Sequence, residues 1–334
     1  MVLANPWYGM VIQATVRPTK LEGRFFWQIN IRSHTEGVIK GNMWDAPADS
    51  MGNPAFPQLG DIIKVHDFKD QLQTHQSVII NPGGFVRLER KQLPDEAKHV
   101  CDVPKATKEE MEDAIKTIFD KKIWADVKHL AFVQACLKKL DKEKLKVSPA
   151  ATHIHHAFQG GLLVHTAEVL KLCIGIVEAL PKYESFLDKD VLYASAILHD
   201  IGKVETYRIN QIGTAESDWR ERSIGHMYYG MYLAERTAED MDVDRQFVDE
   251  ILHCIAAHHG LTDWGSYKIV QSMEAGILSR ADYISSRYGM MDKKLKEAVE
   301  NRQPIEDEFK IYSDPYFSSR GIKKYVEEAT ANRG

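Results

Sequence analysis

Histidine and aspartate residues recur between positions 155 and 282, and they constrain the fold more than any other feature of the sequence. The segments that carry them read HHAFQGGLLVHT, ILHDIGK, GH, AAHHG and SRAD. The intervals between them are those that helices and their connections would span. At the centre are the adjacent residues His199 and Asp200, and a carboxylate has two oxygens with which it can bridge two metal ions. Lys203 follows one helical turn later, so its side chain is expected to reach the same site.

The rest of this region is predicted to be almost entirely helical. Leu162 to Ala179 is an apolar run with polar interruptions, and Val191 to Leu198 is almost all apolar or small, as expected of a buried helix. Asp200 directly follows the second run. Because a buried and unpaired carboxylate is costly, this residue needs a partner, and a bound metal would supply one. Further helices are predicted over Ile224–Ala238, Phe247–His258 and Glu274–Ser286.

Before residue 96 the pattern changes to the two-residue period of β-strands. Apolar and polar residues alternate in several short runs, which Gly and Pro clusters such as Asn81-Pro82-Gly83-Gly84 punctuate. Five short strands of this kind predict a small β-barrel. The runs are Met10–Arg17, Arg24–Arg32, Gly37–Trp44, Asp61–His66 and Ser77–Leu88.

The order of these runs, FFWQINIRSHTEGVIKGNMWD, a loop and then LGDIIKVHDF, resembles an OB-fold of the single-strand-binding kind. In that fold the second and third strands carry aromatic residues that stack on bases, with cations for the phosphates. Since side chains alternate along a strand, one set of aromatic residues must belong to the core, and packing in the barrel is the alternative for Trp27 and Trp44. The candidate nucleic-acid contacts that this resemblance implies are Phe25, Trp27, Trp44, Arg24, Arg32 and Lys40.

Residues 96–150 are predicted to form a helical connector. Thr107 and Glu110 have the spacing of a capping box, and apolar residues then recur at helical spacing. A second helical run extends from Trp124 to Leu140, and Pro149 predicts a break after it.

The predicted fold class is therefore multidomain α and β, with an OB-like small β-barrel over residues 1–95 and an all-α bundle over residues 151–334. The chain has 334 residues, 44% of them hydrophobic, which suffices for packed cores. Its N-terminus does not resemble a signal peptide, and no stretch approaches the roughly 20 apolar residues of a membrane span. Four cysteines without a CxxC pair predict a reduced, cytoplasmic chain. The net charge of −5 argues against indiscriminate nucleic-acid binding but allows a local basic groove.

His165, His199-Asp200 and Asp282 resemble the H…HD…D signature of the HD-domain metal-dependent phosphohydrolase superfamily. The resemblance implies an HD-domain bundle in which these four residues hold one metal ion. Members with two metals add histidines between the HD pair and the final aspartate, and this chain has such histidines. The residues that the resemblance implies as ligands of a second ion are Asp200, His226, His258 and His259. Mixed histidine and aspartate ligands favour Mn²⁺, with Fe²⁺ or Co²⁺ as alternatives.

The chemistry expected of such a site is phosphoester hydrolysis. Two divalent ions would deprotonate a shared water and clamp a phosphate, and Lys203 would neutralise charge on the attacked phosphoryl oxygens. Upstream of the signature, His153, His155 and His156 could bind substrate phosphate or support the ligands. The polar stretch after Lys203 carries Arg222, which could contact the substrate backbone; a plain surface loop is the alternative reading of that stretch.

The combination of an OB-like domain, a helical connector and an HD domain that opens with HHAFQGGLLVHT resembles the YhaM family of 3′–5′ exoribonucleases. This resemblance implies metal-dependent removal of nucleoside 5′-monophosphates from the 3′ ends of single-stranded RNA, and in some members of single-stranded DNA. One alternative is a phosphohydrolase or phosphodiesterase of small nucleotides or cyclic dinucleotides, and another is a single-strand-binding protein with the bundle as a scaffold. The tail after about residue 290 has no readable motif, and either packs on the bundle or mediates self-association into a homo-oligomer.

Overall fold

The computed structural model divides into two compact units, Met1–Asp102 with Lys294–Gly334, and Val103–Lys293. Each unit has an apolar core of its own. The domain boundaries predicted after residues 95 and 150 stay predictions. The residues that the structure describes are 3–21, 23–35, 38–46, 53, 55–72, 77–152, 155–210, 213, 215–300, 308–311, 314–317 and 319–331.

Seven strands of the first unit form one curled sheet, an OB-like half-barrel. The strands are β1 (Trp7–Pro18), β2 (Phe25–Ser33), β3 (Val38–Ala46), β4 (Ile62–Val65), β5 (Phe68–Gln71), β6 (Ser77–Ile80) and β7 (Phe85–Leu88). Hydrogen bonds order them β5-β6-β3-β2-β1-β4-β7, and β3 and β6 are parallel. Alternate residues of β2, namely Trp27, Ile29 and Ile31, are fully buried in the core of the sheet. The prediction of an OB-like N-terminal fold is thus confirmed.

Two strands differ from the predicted ones. The run Ser77–Leu88 is not one strand but two, because Gly83, with a φ of +76°, turns the chain between β6 and β7. The segment Phe68–Gln71 forms β5, which pairs with β6 in antiparallel orientation. Its sequence FKDQ has one apolar residue, so it carries too little of a two-residue pattern to be predicted.

Helices build the second unit. The first begins after Thr107, whose side chain accepts from the Glu110 N–H while the Glu110 carboxylate accepts from the Thr107 N–H, so the predicted capping box is present. The helices are α1 (Lys108–Ile118), α2 (Val127–Lys138), α3 (Lys142–Val147), α4 (Gly161–Ala179), α5 (Lys189–Leu198), α6 (Lys203–Thr206), α7 (Trp219–Ser223), α8 (His226–Ala238), α9 (Arg245–Ala257) and α10 (Met273–Glu300).

Helix α5 is the centre of this bundle and packs against α2, α4 and α9. Every residue from Asp190 to Leu198 is buried. The buried Asp190 carboxylate accepts from the backbone N–H groups of Ala125 and Asp126 at 2.9 and 2.8 Å. It therefore ties the start of α5 to the start of α2, and its charge is compensated within the bundle.

The chain also forms two hairpins and one further helix. Within the second unit, β8 (Tyr207–Ile209) pairs with β9 (Ala215–Ser217), so the polar stretch after Lys203 is more than the plain loop considered above. In the first unit β10 (Glu308–Ile311) pairs with β11 (Asp314–Phe317), and α11 spans Arg320–Ala331. Among the described residues, none of the helices combines the length and the apolar character that crossing a membrane requires.

Candidate metal centre

The second unit brings all seven predicted metal ligands into one cluster. Five separate segments supply them, so the site exists only when the bundle is packed. The ligands are His165 on α4, His199 and Asp200 directly after α5, His226 at the start of α8, His258 and His259 directly after α9, and Asp282 on α10.

A first group of ligand atoms surrounds Oδ2 of Asp200. This oxygen lies 3.4 Å from Nε2 of His165 and 3.4 Å from Nε2 of His199. Oδ1 of Asp282 lies 3.2 Å from Nε2 of His165 and 3.9 Å from Nε2 of His199. Ligands that sit about 2.1 Å from an ion lie about 3 to 3.5 Å from one another, so these four residues have roughly the spacing of a coordination shell.

A second group faces Oδ1, the other oxygen of Asp200. Nε2 of His226 lies 3.2 Å from this oxygen, and Nε2 of His258 lies 3.6 Å from it. These three atoms and Nδ1 of His259 are buried and make no hydrogen bond with any described residue. Since a buried polar atom without a partner is costly, a set of four such atoms aimed at one point fits a bound cation. The residues therefore fit two metal ions that share Asp200.

Helix ends make this arrangement possible. Adjacent histidines within a regular helix would point about 100° apart. Helix α9 ends at Ala257, and Gly260, with a φ of +82°, reverses the chain just after His258 and His259. Both imidazoles can therefore reach the second group.

His165 is held by a chain of hydrogen bonds from α4 to α10. Its Nδ1 donates to Oγ of Ser285 at 3.0 Å, and Ser285 donates to the Glu168 carboxylate at 2.7 Å. The same carboxylate lies 3.2 Å from Nε2 of the buried His156. Nδ1 therefore keeps its proton, and Nε2 of His165 faces the first group, where a metal ion would replace the proton that this nitrogen carries at neutral pH.

The other ligands that offer Nε2 are oriented in the same way. Nδ1 of His226 donates to Oε1 of Glu221 at 2.8 Å. Nδ1 of His199 and of His258 donates to a backbone carbonyl three residues earlier, at 2.9 and 2.7 Å. A fixed tautomer and ring orientation are what a metal-binding histidine needs.

The carboxylates stay ionised despite their burial. Burial alone would raise the pKa of Asp200, but Lys203, His199 and His165 hold it well below its usual range. Nζ of Lys203 lies 2.6 Å from Oδ2 of Asp200. For His165 the effects are reversed. Burial would lower the pKa of this imidazole, but the carboxylates of Asp200 and Asp282 raise it to about 9. The first group is thus a dense network of opposite charges around one shared oxygen.

The imidazoles of the second group differ in charge: burial would lower the pKa of His226, but Asp200 and Glu221 raise it, whereas the pKa values of the other two rings are lowered. Burial lowers the pKa of His258, and burial together with the neighbouring imidazoles lowers the pKa of His259 to about 3. Both rings are therefore neutral at physiological pH, and only the neutral imidazole has a lone pair for a metal ion.

Trp27 requires a correction, because it is a core residue. Its side chain is fully buried, and its indole N–H donates to the Pro57 carbonyl at 2.8 Å. It cannot stack on a base without opening the sheet, so the packing alternative holds for this residue. Phe25, at an irregularity of the β2–β3 pairing, is half-buried.

The outer face of β2 and β3 carries a different aromatic pair. Trp44 is 48% exposed, and its ring lies 5.0 Å from that of Phe26, the neighbour directly opposite on β2. Lys40 is exposed and lies opposite Asn30 on the same face, and Arg17 of β1 lies opposite Phe26. Phe26 and Arg17 were missed by the sequence analysis, although the alternation that buries Trp27 exposes its neighbour.

The other side chains predicted to contact nucleic acid differ in their exposure and in their partners. Arg24 is exposed and 3.9 Å from the Asp45 carboxylate. Arg32 donates to the backbone carbonyl of Asp102 at 2.7 Å, so it braces the chain after the sheet. Arg222 is exposed on α7, whereas His156 is buried beside the ligand His165. His153 lies outside the described residues.

An OB-like sheet and a helical bundle with a shared-aspartate cluster of this kind define the class of HD-domain metal-dependent hydrolases. The family model of the HD domain matches residues 162–287. The 3′-5′ exoribonuclease YhaM of Bacillus velezensis is 30% identical over 295 residues, 86% of this chain and 86% of that protein. The chain therefore belongs to the YhaM family of 3′-5′ exoribonucleases.

Two other relatives with the same name show the same extent of similarity. The protein of Bacillus licheniformis is 29% identical over 297 residues, 86% of each chain. That of Shouchella clausii is 28% identical over 303 residues, 89% of this chain and 87% of the relative. No solved structure matches the chain. The predicted family, fold class and hydrolase activity are confirmed. The family implies dependence on a divalent metal.

Proposed function

We propose that this chain is a 3′–5′ exonuclease that hydrolyses phosphodiester bonds of single-stranded RNA, and of single-stranded DNA, to nucleoside 5′-monophosphates. The observation that carries the proposal is the position of Asp200, whose two oxygens face two separate groups of buried imidazoles. The names of its relatives, which are 3′-5′ exoribonucleases, support the substrate class and the direction.

In this proposal His165, His199, Asp200 and Asp282 hold one divalent ion, and His226, His258 and His259 hold the second together with Asp200. When bound, two such ions lower the pKa of a water and neutralise phosphate oxygens. Mixed imidazole and carboxylate donors suit Mn²⁺, Fe²⁺ or Co²⁺ better than Mg²⁺, which prefers oxygen ligands, and Mn²⁺ is the ion that we propose.

Lys203 and His156 act around the ligands. Lys203 keeps Asp200 ionised through the 2.6 Å contact, and its charge faces the phosphate as negative charge develops there. His156, whose Nε2 lies 3.2 Å from the Glu168 carboxylate, belongs with Ser285 to the group of residues that supports His165. Arg222 is a candidate contact for the substrate backbone.

The OB-like domain, residues 1–95 in the predicted division, would hold the single strand. Phe26 and Trp44 offer ring faces for bases, and Arg17, Lys40 and Arg24 offer charge for phosphates. Residues 96–150 and 151–334 would be the connector and the HD domain. A cytoplasmic location and a homo-oligomeric state stay predictions.

The test is a time course with Mn²⁺ on 5′-labelled single-stranded RNA and DNA that end in a 3′ hydroxyl or a 3′ phosphate. We expect a ladder that shortens from the 3′ end one nucleotide at a time, slowed by the 3′ phosphate, with nucleoside 5′-monophosphates as products. No cleavage of either strand, with metal shown to be bound, would instead favour a phosphodiesterase of small nucleotides or cyclic dinucleotides.

A further inference from the structure

An exposed aromatic stack lies beside the metal centre and has no part in metal binding. Trp264 ends a short 3₁₀ turn, Thr262–Trp264, that follows the ligands His258 and His259. Its ring is stacked on that of Tyr283, with centroids 5.8 Å apart and an angle of 11° between the planes. Trp264 is nevertheless 53% exposed, so the ring face away from Tyr283 is open to solvent.

Both rings belong to segments that also carry, or come close to, the candidate metal ligands. Tyr283 directly follows the ligand Asp282 on α10. Gly265, the residue after Trp264, is so close to His259 that a Cβ on it would lie 3.6 Å from the Nδ1 atom of that ligand. The backbone that carries Trp264 therefore adjoins the second group through Gly265.

The segment that carries Trp264 is fixed rather than loose. Ser266 is buried, and its hydroxyl group lies 3.1 Å from the Ala256 carbonyl and 2.8 Å from the Lys268 carbonyl, placed to donate to either. Tyr283 has a second neighbour in Arg287, whose guanidinium lies 4.9 Å from the centre of its ring. The tryptophan is thus held in place before any ligand arrives, which reduces the entropy cost of binding.

We propose that Trp264 is the stacking platform for the 3′-terminal nucleobase of the substrate, with Tyr283 and Arg287 supporting it from behind. A large exposed tryptophan otherwise leaves apolar surface in water, whereas any nucleobase can cover its π-face. The site takes a nucleoside 5′-monophosphate unit, with its base on Trp264 and its phosphate toward the metal ligands. This inference rests on the proposed exonuclease function for the identity of its substrate.

Binding of mononucleotides tests the platform without relying on turnover. Isothermal titration calorimetry of the Mn²⁺-loaded full chain would compare AMP with ribose 5-phosphate, which lacks the base. We expect AMP to bind about tenfold more tightly to the wild-type chain, because its base stacks on Trp264 and ribose 5-phosphate has no base. Trp264→Ala should bring the two affinities to within about twofold, while Trp264→Phe keeps most of the preference.

The matched control is Trp219→Ala, which removes another tryptophan of the second unit, 60% exposed on α7. It should keep the AMP preference. Equal affinities of the wild-type chain for AMP and ribose 5-phosphate, or an unchanged preference in Trp264→Ala, would overturn the platform.

Degradation of an RNA with an abasic 3′-terminal nucleotide separates this inference from the proposed function. We expect its first cleavage to be at least tenfold slower than that of RNA ending in adenosine, and Trp264→Ala to remove this difference. Cleavage of both RNAs at one rate would keep the exonuclease and overturn the platform. A preference for AMP that depends on Trp264, in a chain that leaves RNA intact, would keep the platform and overturn the exonuclease.

Discussion

Four of the five candidate ligand histidines rely on a second residue that holds their other ring nitrogen, namely His165, His199, His226 and His258. For His165 that residue is Ser285, whose hydroxyl group accepts from His165 and donates to the Glu168 carboxylate. For His226 it is Glu221. The candidate ligands could be selected from the sequence because they form a recognisable motif, and their metal-binding role stays a prediction. Their supports could not, since Ser285 is 120 residues from His165 and becomes its neighbour only when α4 and α10 pack.

Ser285→Ala should weaken metal binding at the first group by about 10- to 100-fold, because the His165 ring loses the acceptor that sets its tautomer. Competition with a fluorescent chelator for Mn²⁺ would measure the affinity. Ser286→Ala is the matched control, since that hydroxyl bonds a carbonyl of its own helix, Tyr283, at 2.9 Å. Equal affinities in the two variants would show that Ser285 does not position the ligand.

Lys203→Ala should lower kcat by about a hundredfold while the metals stay bound, because the variant loses a cation beside the phosphate but none of the ligands. Parallel measurement of kcat and of metal content by mass spectrometry separates the two effects. Lys171→Ala, which removes an exposed lysine of α4, is the control and should match the wild-type chain. Loss of metal from Lys203→Ala would mean that the lysine maintains the site itself.

Close helix packing sets the positions of the ligands at the scale of elements. Gly202 lies just before α6, and a Cβ on it would come within 1.9 Å of the His226 carbonyl at the start of α8. Helices were predictable here from long apolar runs, and those over 162–179 and 191–198 were confirmed with small changes at their ends. The short elements β5, β8 and β9 have three or four residues each, too few for a period to appear.

Gly202→Ala should destabilise the chain by about 1–3 kcal/mol and lower its metal content, because backbone on both sides must move and His226 moves with it. Thermal unfolding and metal analysis would report the two effects. Gly175→Ala is the control, as a Cβ there meets no atom within 4 Å, and helix propensity predicts a gain of about 0.5–1 kcal/mol. An unchanged stability of Gly202→Ala would contradict the close approach.

At the scale of the whole molecule, two units would divide the work between holding a strand and cutting it. The resemblance to an OB-fold indicated which strands carry the aromatic residues, but not which side of the sheet each residue faces. Packing decides that, and it places Trp27 inside and Trp44 outside. Alternation alone therefore predicts which strand carries a residue but does not determine which face of the sheet its side chain occupies.

Trp44→Ala should weaken binding of long oligonucleotides by about 1–3 kcal/mol and leave dinucleotides unaffected, because a long single strand has bases for the sheet that a dinucleotide lacks. Val86→Ala, with a similar exposure on β7, is the control.

Trp27→Ala should instead destabilise the fold by about 3–5 kcal/mol, as expected for a buried tryptophan. KM for both substrate lengths, together with thermal unfolding, would show the difference. Equal weakening of both lengths by Trp44→Ala would point to a folding defect.

The number of metal ions per chain tests the shared role of Asp200 most directly. Mass spectrometry of the chain, loaded with Mn²⁺ and freed of excess metal by dialysis, would give that number for the wild-type protein and for Asp200→Asn. We expect two ions in the wild-type chain, and fewer than two with no turnover in the variant, because one carboxylate serves both groups. Two retained ions and normal turnover in Asp200→Asn would contradict a bridging carboxylate.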